Sequence, residues 1–440
     1  MNRQDRAMLQ ALAEEMKPAL GVTEPMAVAF AAAKCREVIG GDVLGVKVTT
    51  NPALFKTGAS VVLPGTDKTG FPLAAMLGIL VGDASLGLEV LRNVDAASVE
   101  HAIAVLAEED TVRMETKRDE AGLYVQVRIT TDTATARVVV AERHDNVVLI
   151  EKDGLQLFRK ETSGQARDHV DMTSLTFSDL VRFARTMPAD VLRFVQEAID
   201  MNRELAEEGL SGHYGMAAGA AMRQLVAAGV MADDVAADAQ ILVAAACDAR
   251  LGGASKPAMS IAGSGSHGVT ATLPLLAVAR RFDKSDDELI RATTLSLLVT
   301  LYVKAFSGRL SALCGCAVGA GAGAAAGVAL LLDGSDEQIG AAVKNLSADV
   351  TGIICDGGNY GCALKTATGA CSALRSALLA LDGHVIPDNS GIVSDSVDTT
   401  IKNMGAISSP GMVHTDEVIL DIMSAAQAER PYEAKEQRYA

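Results

Sequence analysis

The chain has 440 residues, 49% of them hydrophobic, which is enough to bury a large core and to divide into about two or three domains. Its 39 Lys and Arg against 55 Asp and Glu leave a formal charge of −16, a field that repels phosphate backbones and anionic headgroups, so neither nucleic acid nor a membrane is an expected partner. Aromatic residues supply only 3% and tryptophan is absent, while Ala and Gly dominate the apolar content, which favours closely approaching helices over an aromatic-rich sandwich.

Residues 3–17 read as a short amphipathic helix. A second helix opens at Thr23-Glu24-Pro25, with Thr23 as its N-cap and Pro25 in its first turn, and Gly40-Gly41 ends it. The period then shortens. Val46 and Val48 alternate with polar neighbours, and residues 60–63 lead into the turn Pro64-Gly65-Thr66, so both segments are predicted as strands. Between about residues 111 and 155, Leu123, Val125, Val127 and Ile129 share one face while Tyr124, Gln126, Arg128 and Thr130 share the other, the pattern of an antiparallel meander. Arg143-His144-Asp145-Asn146 is a hairpin connection inside it.

After about Leu180 the strand signals vanish, and Ala/Leu/Val helices alternate with joints such as Gly252-Gly253 and Gly263-Ser264-Gly265. The expected fold is an α+β N-terminal domain over residues 1–180, helices plus antiparallel strands, followed by an all-α, Ala/Gly-rich helical domain over residues 181–440. Residues 311–332 carry no charge and are long enough to span a membrane, but their small side chains gain little from lipid, so they are predicted as a helix buried inside the helical domain.

Residues 1–17 are dotted with charges and lack the apolar stretch of a secretory signal, which predicts a cytoplasmic protein. In that reducing compartment seven cysteines are buried thiols, nucleophiles or metal ligands, and five of them, Cys314, Cys316, Cys355, Cys362 and Cys371, fall in one C-terminal stretch. Cys355 and Cys362 flank a glycine-rich turn that opens a helix, and Cys314-Gly315-Cys316 lies at a helix start, where the dipole favours a thiolate. The spacing alone leaves iron-sulfur, zinc and plain core thiols open.

Several blocks carry a resemblance. Gly21-Val22-Thr23-Glu24-Pro25-Met26-Ala27, Lys56-Thr57-Gly58, Val62-Leu63-Pro64-Gly65-Thr66, Gly263-Ser264-Gly265-Ser266-His267-Gly268, Leu310 to Cys316, Ile354-Cys355-Asp356-Gly357 and Gly361-Cys362-Ala363-Leu364-Lys365 resemble, in order and approximate spacing, the cysteine desulfidase family (UPF0597-type), related to the iron-sulfur L-serine dehydratase alpha chain. The resemblance spans nearly the whole chain. It implies a 4Fe-4S cluster held by Cys355, Cys362 and Cys314, with Cys316 as the alternative to Cys314, while Cys35, Cys247 and Cys371 remain buried thiols.

The resemblance further implies a β-eliminating lyase acting on a small amino acid, L-cysteine to pyruvate, ammonia and sulfide, or serine or another β-substituted analogue, without nucleic-acid or membrane partners and compatible with a homodimer. Where the family carries a candidate base cysteine in its GCTEP segment, this chain has Val22, which cannot take a proton. His267, where the family usually has Gln, becomes the candidate base, with Glu24 beside it; a loop histidine bonded to a carbonyl is the other reading. Thr23, Asn51, Lys56, Ser264, Ser266, Asn359 and Lys365 are the candidate substrate-binding residues, Lys56 for the α-carboxylate. Gly358-Asn359 replaces the family's Ala-Lys between the cluster cysteines. Such departures predict a shifted substrate or an idle metal- or redox-binding paralogue; a metal-free structural protein is a third reading.

Overall fold

The computed structural model describes residues 1–107, 111–118, 122–160 and 170–428. Helix α1 (Arg3–Glu15), closed by a reciprocal Asn2–Asp5 cap, leads through strand β1 (Lys17–Leu20) to α2 (Thr23–Glu37) and β2 (Val43–Thr50). Three helices follow, α3 (Pro52–Gly58), α4 (Phe71–Leu80) and α5 (Ala96–Leu106). Then come strands β3 (Val112–Thr116), β4 (Tyr124–Thr131), β5 (Thr135–Ala141), β6 (Val147–Lys152) and β7 (Leu155–Arg159). The sheet order is β3-β2-β4-β5-β6-β7. Alternation works as the sequence indicates: Val125, Val127 and Ile129 turn inward with Val46, Val48, Val138 and Val140, and they meet Ala-rich α2 and α4 in one core.

The remaining helices are α6 (Phe177–Thr186), α7 (Ala189–Leu192), α8 (Gln196–Gly209), α9 (Ala218–Ala227) and α10 (Val235–Leu251). After strand β8 (Pro257–Ser260) come α11 (Gly265–Arg281), α12 (Asp286–Ser307), α13 (Ala320–Leu331), α14 (Asp336–Val350), α15 (Gly361–Leu381), α16 (Val397–Ala406) and α17 (Val413–Ala428). They surround a second core in which alanine and glycine let α10, α13 and α15 approach closely, and α1 joins this core through Met8 and Leu12. Helix α12 is long and apolar enough to cross a membrane by length and composition, and 83% of its apolar window is buried inside the chain.

The α+β region followed by a helical region is as the sequence predicts, with six corrections. Val22, extended at φ −84°, is the N-cap residue of α2, and Thr23 is already helical. Residues 60–63 make a single bridge, Val62 to Thr69, instead of a strand. Strand β3 is not part of the antiparallel meander but pairs parallel to β2, from Val46 opposite Val112 to Thr50 opposite Thr116. A strand does occur late in the chain: β8 pairs antiparallel with β1, Lys17 opposite Ser260 and Leu20 opposite Pro257. Asn51 and Lys56 lie at the cap and in the last turn of α3, whereas strands on both sides, around Val46 and Val48 and at residues 60–63, would have put them in the loop between. The uncharged run 311–332 is a short extended piece, one π-helical turn at Gly315–Gly319 and the buried α13.

Candidate functional site

Two extended segments bring the cysteines together. Leu313 bridges Ile354; the Cys314 N–H donates to the Ile353 carbonyl at 2.8 Å, and the Cys355 N–H donates to the Ala312 carbonyl at 2.6 Å. Cys316 stands in the π-helical turn that follows, and Cys362 in the first turn of α15. Cys314 is held down by the hydrogen bond from Cys316, and Cys316 is pushed well up by the same bond and by burial. Burial raises Cys355 against the opposing Lys56 charge, and burial followed by Cys247 raises Cys362. The thiols of Cys247, Cys314, Cys316, Cys355 and Cys362 thus sense one another, although they come from separate stretches of chain.

The loop between Cys355 and Cys362 is fixed on both sides. Asn359 accepts from the Gly361 N–H at 2.8 Å and donates to Asp356 at 3.1 Å and to the Gly357 carbonyl at 3.3 Å, so its amide shapes the loop. Gly357, at φ +96°, and Gly358 lie against α3; a Cβ at Gly357 would stand 2.2 Å from the Lys56 carbonyl. The Lys56 ammonium is buried and donates to the Cys355 carbonyl at 2.8 Å, the Ser311 carbonyl at 3.4 Å and the Asp416 carboxylate of α17. Lys365, one turn into α15, is paired with Asp356, which raises its pKa against burial.

Above the Cys314-Gly315-Cys316 turn stand two buried bases, His267 of α11 and Lys304 of α12. A Cβ added at residue 315 would lie 2.2 Å from His267 Nε2 and 3.1 Å from Lys304 Nζ, so both nitrogens converge on that glycine. His267 Nδ1 lies 3.3 Å from the Ile261 carbonyl, which assigns the ring proton to Nδ1 and leaves the Nε2 lone pair toward Gly315. Burial, then the charges of Lys304, Arg250 and Arg309, hold His267 well below the usual histidine range, so the ring is neutral. Burial also lowers Lys304 to about 8, opposed by Cys355, Cys316 and Cys314.

A second polar group adjoins the first across the turn at Ile261–Ser264, where Gly263 has φ +77° and a Cβ would meet Arg309 Nη1 at 2.9 Å and the His144 ring at 3.1 Å. Thr23 donates to the Gly263 carbonyl at 2.9 Å and to Glu24 at 3.0 Å. Glu24 Oε1 faces His144 Nε2 at 3.5 Å, and both side chains are buried. Burial raises the Glu24 carboxyl, but His144 and Arg250 outweigh it and keep the group below its ordinary value. Ser266 accepts from Arg250 at 2.8 Å and lies 3.7 Å from the Cys247 sulfur. Ser264 pairs through its backbone with Ile261 at the start of α11.

Asn51 stands apart from this group, bridging the Gly122 carbonyl at 2.6 Å and the Tyr124 N–H at 3.2 Å. Cys35 lies far off under the sheet, 3.8 Å from the Val127 carbonyl, and burial pushes it up to about 12. Val22 is buried in the helical core with Val61.

Sequence reasoning missed His144, Arg250, Lys304, Arg309 and Asp416. Lys304 does carry a signal, as the single charge between Arg291 and Arg309, and Arg250 ends an otherwise Ala-rich helix. His144 carries none, because it belongs to a hairpin connection whose place against Glu24 depends on tertiary packing.

With this geometry in view, comparison with known proteins is decisive: the family model for the serine dehydratase alpha chain matches residues 85–421. The chain belongs to the serine dehydratase alpha chain family. Among full-length relatives, a UPF0597 protein of Clostridium botulinum (strain Okra / Type B1) is 40% identical over 427 residues, 95% of this chain and 98% of that protein. A UPF0597 protein of Aeromonas hydrophila is 40% identical over 419 residues, 94% and 95% of the two chains, and one of Clostridium tetani is 36% identical over 428, 96% and 99%. Both serine dehydratase alpha chain and UPF0597 membership thus rest on most of the chain's length.

In a serine dehydratase alpha chain family member the donor set can be tested against an iron-sulfur cluster. Among the described residues no three His, Cys, Asp or Glu side chains form a set for one metal ion. A cubane asks for a wider spacing than a single zinc, because each thiolate binds a different iron. Buried, mutually interacting thiols with Lys56, Lys304 and Lys365 close enough to act on them electrostatically fit such an anionic group.

Proposed function

We propose that this protein is an iron-sulfur-dependent lyase that eliminates the β-substituent of a small amino acid, with L-cysteine as the first substrate to try and serine next. The observation that carries the reading is the convergence of Cys314, Cys316, Cys355 and Cys362 beneath the free Nε2 of a neutral His267. Cys355, Cys362 and Cys314 would hold the cluster, with Cys316 as the alternative to Cys314. When bound there, the cluster supplies a Lewis acid for the leaving thiol or hydroxyl.

His267 Nε2 takes the α-proton, a role open to it because its lone pair is neither protonated nor bonded to a neighbour. The Cα–H electrons form the Cα=Cβ bond and the Cβ–S electrons leave with sulfur as sulfide. The enamine tautomerises and hydrolyses to pyruvate and ammonia. Glu24, kept ionised and aligned by Thr23 and His144, receives the substrate ammonium. Arg250 and Ser266 fix the start of α11, and so the ring of His267. The carboxylate role expected of Lys56 passes elsewhere, since three acceptors already occupy that ammonium.

One observation favours a second reading, an idle metal- or redox-binding paralogue: Val22 stands buried and unreactive where the family carries its candidate base. Anaerobic purification separates the two. A brown protein with about four irons and matching acid-labile sulfide per chain, releasing sulfide and pyruvate from L-cysteine, supports the lyase. The same cluster without turnover of cysteine, serine or related amino acids supports the idle paralogue. A colourless protein after anaerobic reconstitution that holds neither iron nor zinc refutes both, and one that holds zinc alone refutes the lyase.

A further inference from the structure

We infer that Lys304 receives the α-carboxylate of the substrate, and so makes the site selective for amino acids over amines. The inference rests on the lyase reading for the identity of the ligand, and its geometry is independent of Lys56, which the sequence had marked for this task.

The first observation is an unused cation. Lys304 is 6% exposed, and among the described residues its Nζ makes no hydrogen bond and no ion pair with a carboxylate. The other cations of the site are engaged at least in part: Lys56 with Asp416 and two carbonyls, Lys365 with Asp356, Arg309 with Glu15, and Arg250 through Nη1 with Ser266, its Nε being left without a partner. A buried ammonium without a partner is expensive to keep unless a ligand completes it.

The second observation is where it aims. The Lys304 stem runs along the π-helical turn, with Cδ 3.4 Å from a Cβ built at Gly319, and its Nζ ends beside Gly315. His267 Nε2 reaches the same point, and any side chain at residue 315 would fill it. In an α-amino acid the carboxyl carbon is bonded directly to the α-carbon. A carboxylate on Nζ therefore brings the α C–H under the imidazole without a further positioning group. The competing role for Lys304 is to offset the charge of the thiolates, which act on it directly.

The test uses cluster-loaded wild type, Lys304→Met and Lys304→Arg, each checked for iron content and unfolding temperature. L-Alanine, which has the amino and carboxyl groups but nothing to eliminate, is titrated calorimetrically beside cysteamine, which lacks the carboxylate. The expected result is a loss of L-alanine affinity of about 100-fold in Lys304→Met, partly restored in Lys304→Arg, with cysteamine unchanged and iron retained; with L-cysteine the loss falls mainly on KM. Equal L-alanine affinity in wild type and Lys304→Met, or loss of iron in Lys304→Met alone, overturns the inference and leaves the lyase standing. Lysine-dependent L-alanine binding in a wild type that eliminates nothing overturns the lyase and leaves the lysine. A wild type that neither binds L-alanine nor turns over any amino acid overturns both.

Discussion

Replacing Gly315 by alanine tests the centre of the site with a single methyl group. The added Cβ would stand 2.2 Å from His267 Nε2 and 2.8 Å from its Cε1, well inside contact distance, so the ring must move. The ring cannot turn freely, because His267 is buried and its Nδ1 bonds the Ile261 carbonyl. Overpacking of this kind costs about 1–3 kcal/mol, and losing the Ile261 bond adds about 1 kcal/mol. Gly315→Ala should therefore lose about 2–4 kcal/mol of stability in urea unfolding and, for the lyase, about 100-fold in kcat from a displaced base. Gly321→Ala is the control: its Cβ would meet the flexible end of Leu346 at 3.3 Å and the Gly369 carbonyl at an ordinary contact distance of 3.6 Å, inside a helix where alanine is preferred, so it should stay within about 1 kcal/mol of wild type. A Gly315→Ala protein as stable and active as Gly321→Ala would refute the convergence of His267 and Lys304 on that glycine.

Cys355→Ser should abolish bound iron and visible absorbance after anaerobic reconstitution, whereas Cys371→Ser should keep both; equal iron content in the two variants contradicts the ligand assignment. Lys56→Met strands the Cys355 and Ser311 carbonyls and the mostly buried Asp416, and should cost about 2–4 kcal/mol of stability in urea, with faster loss of iron to a chelator. Asp248 is pushed up to about 6 by burial, against the backbone N–H groups of Gly219, Met216 and Ala218. Its folded pKa thus lies above the unfolded value, the folded state binds the proton more tightly, and its contribution is full below about pH 4 and lost as pH rises through 6. The wild-type urea midpoint minus that of Asp248→Asn should therefore fall across this window, and a difference independent of pH would show that Asp248 titrates normally.

Patterns that live within one element were legible in the sequence. The period-two alternation of Leu123 to Ile129 yields β4 because one face of the sheet must meet α2, and the Pro25 position marks the first turn of α2. Pairings between distant segments were not legible. Strands β1 and β8 have four residues each, too few to show a period, and pair across more than half of the chain. The parallel β2–β3 contact requires a crossover through three helices that no local signal announces.

For the site, cysteines and glycines are conspicuous because few other residues can replace them. The cations are not: a lysine in a helix usually reaches solvent, and only the packing of α11, α12 and the π-helical turn shows that Lys304 stays inside. Lys56 opens one of the recognisable blocks, a place that suits a ligand contact as well as the tie between α3 and α17 that its ammonium makes in the structure.

That tie has a consequence for synthesis. Lys56 leaves the ribosome early, and Asp416 lies 360 positions later. Until then the ammonium has no carboxylate, and a hydrated lysine cannot settle under the Cys355 carbonyl without a large desolvation cost. Chains grow from the N-terminus at about 5–20 residues per second, so the interval lasts tens of seconds. Cys355 emerges close to the end of that interval, and from then until α17 lands the Lys56 ammonium lacks the carboxylate that holds it beneath the Cys355 carbonyl. Helix α17 thus completes, through Asp416 and Lys56, the support of the segment that carries Cys355.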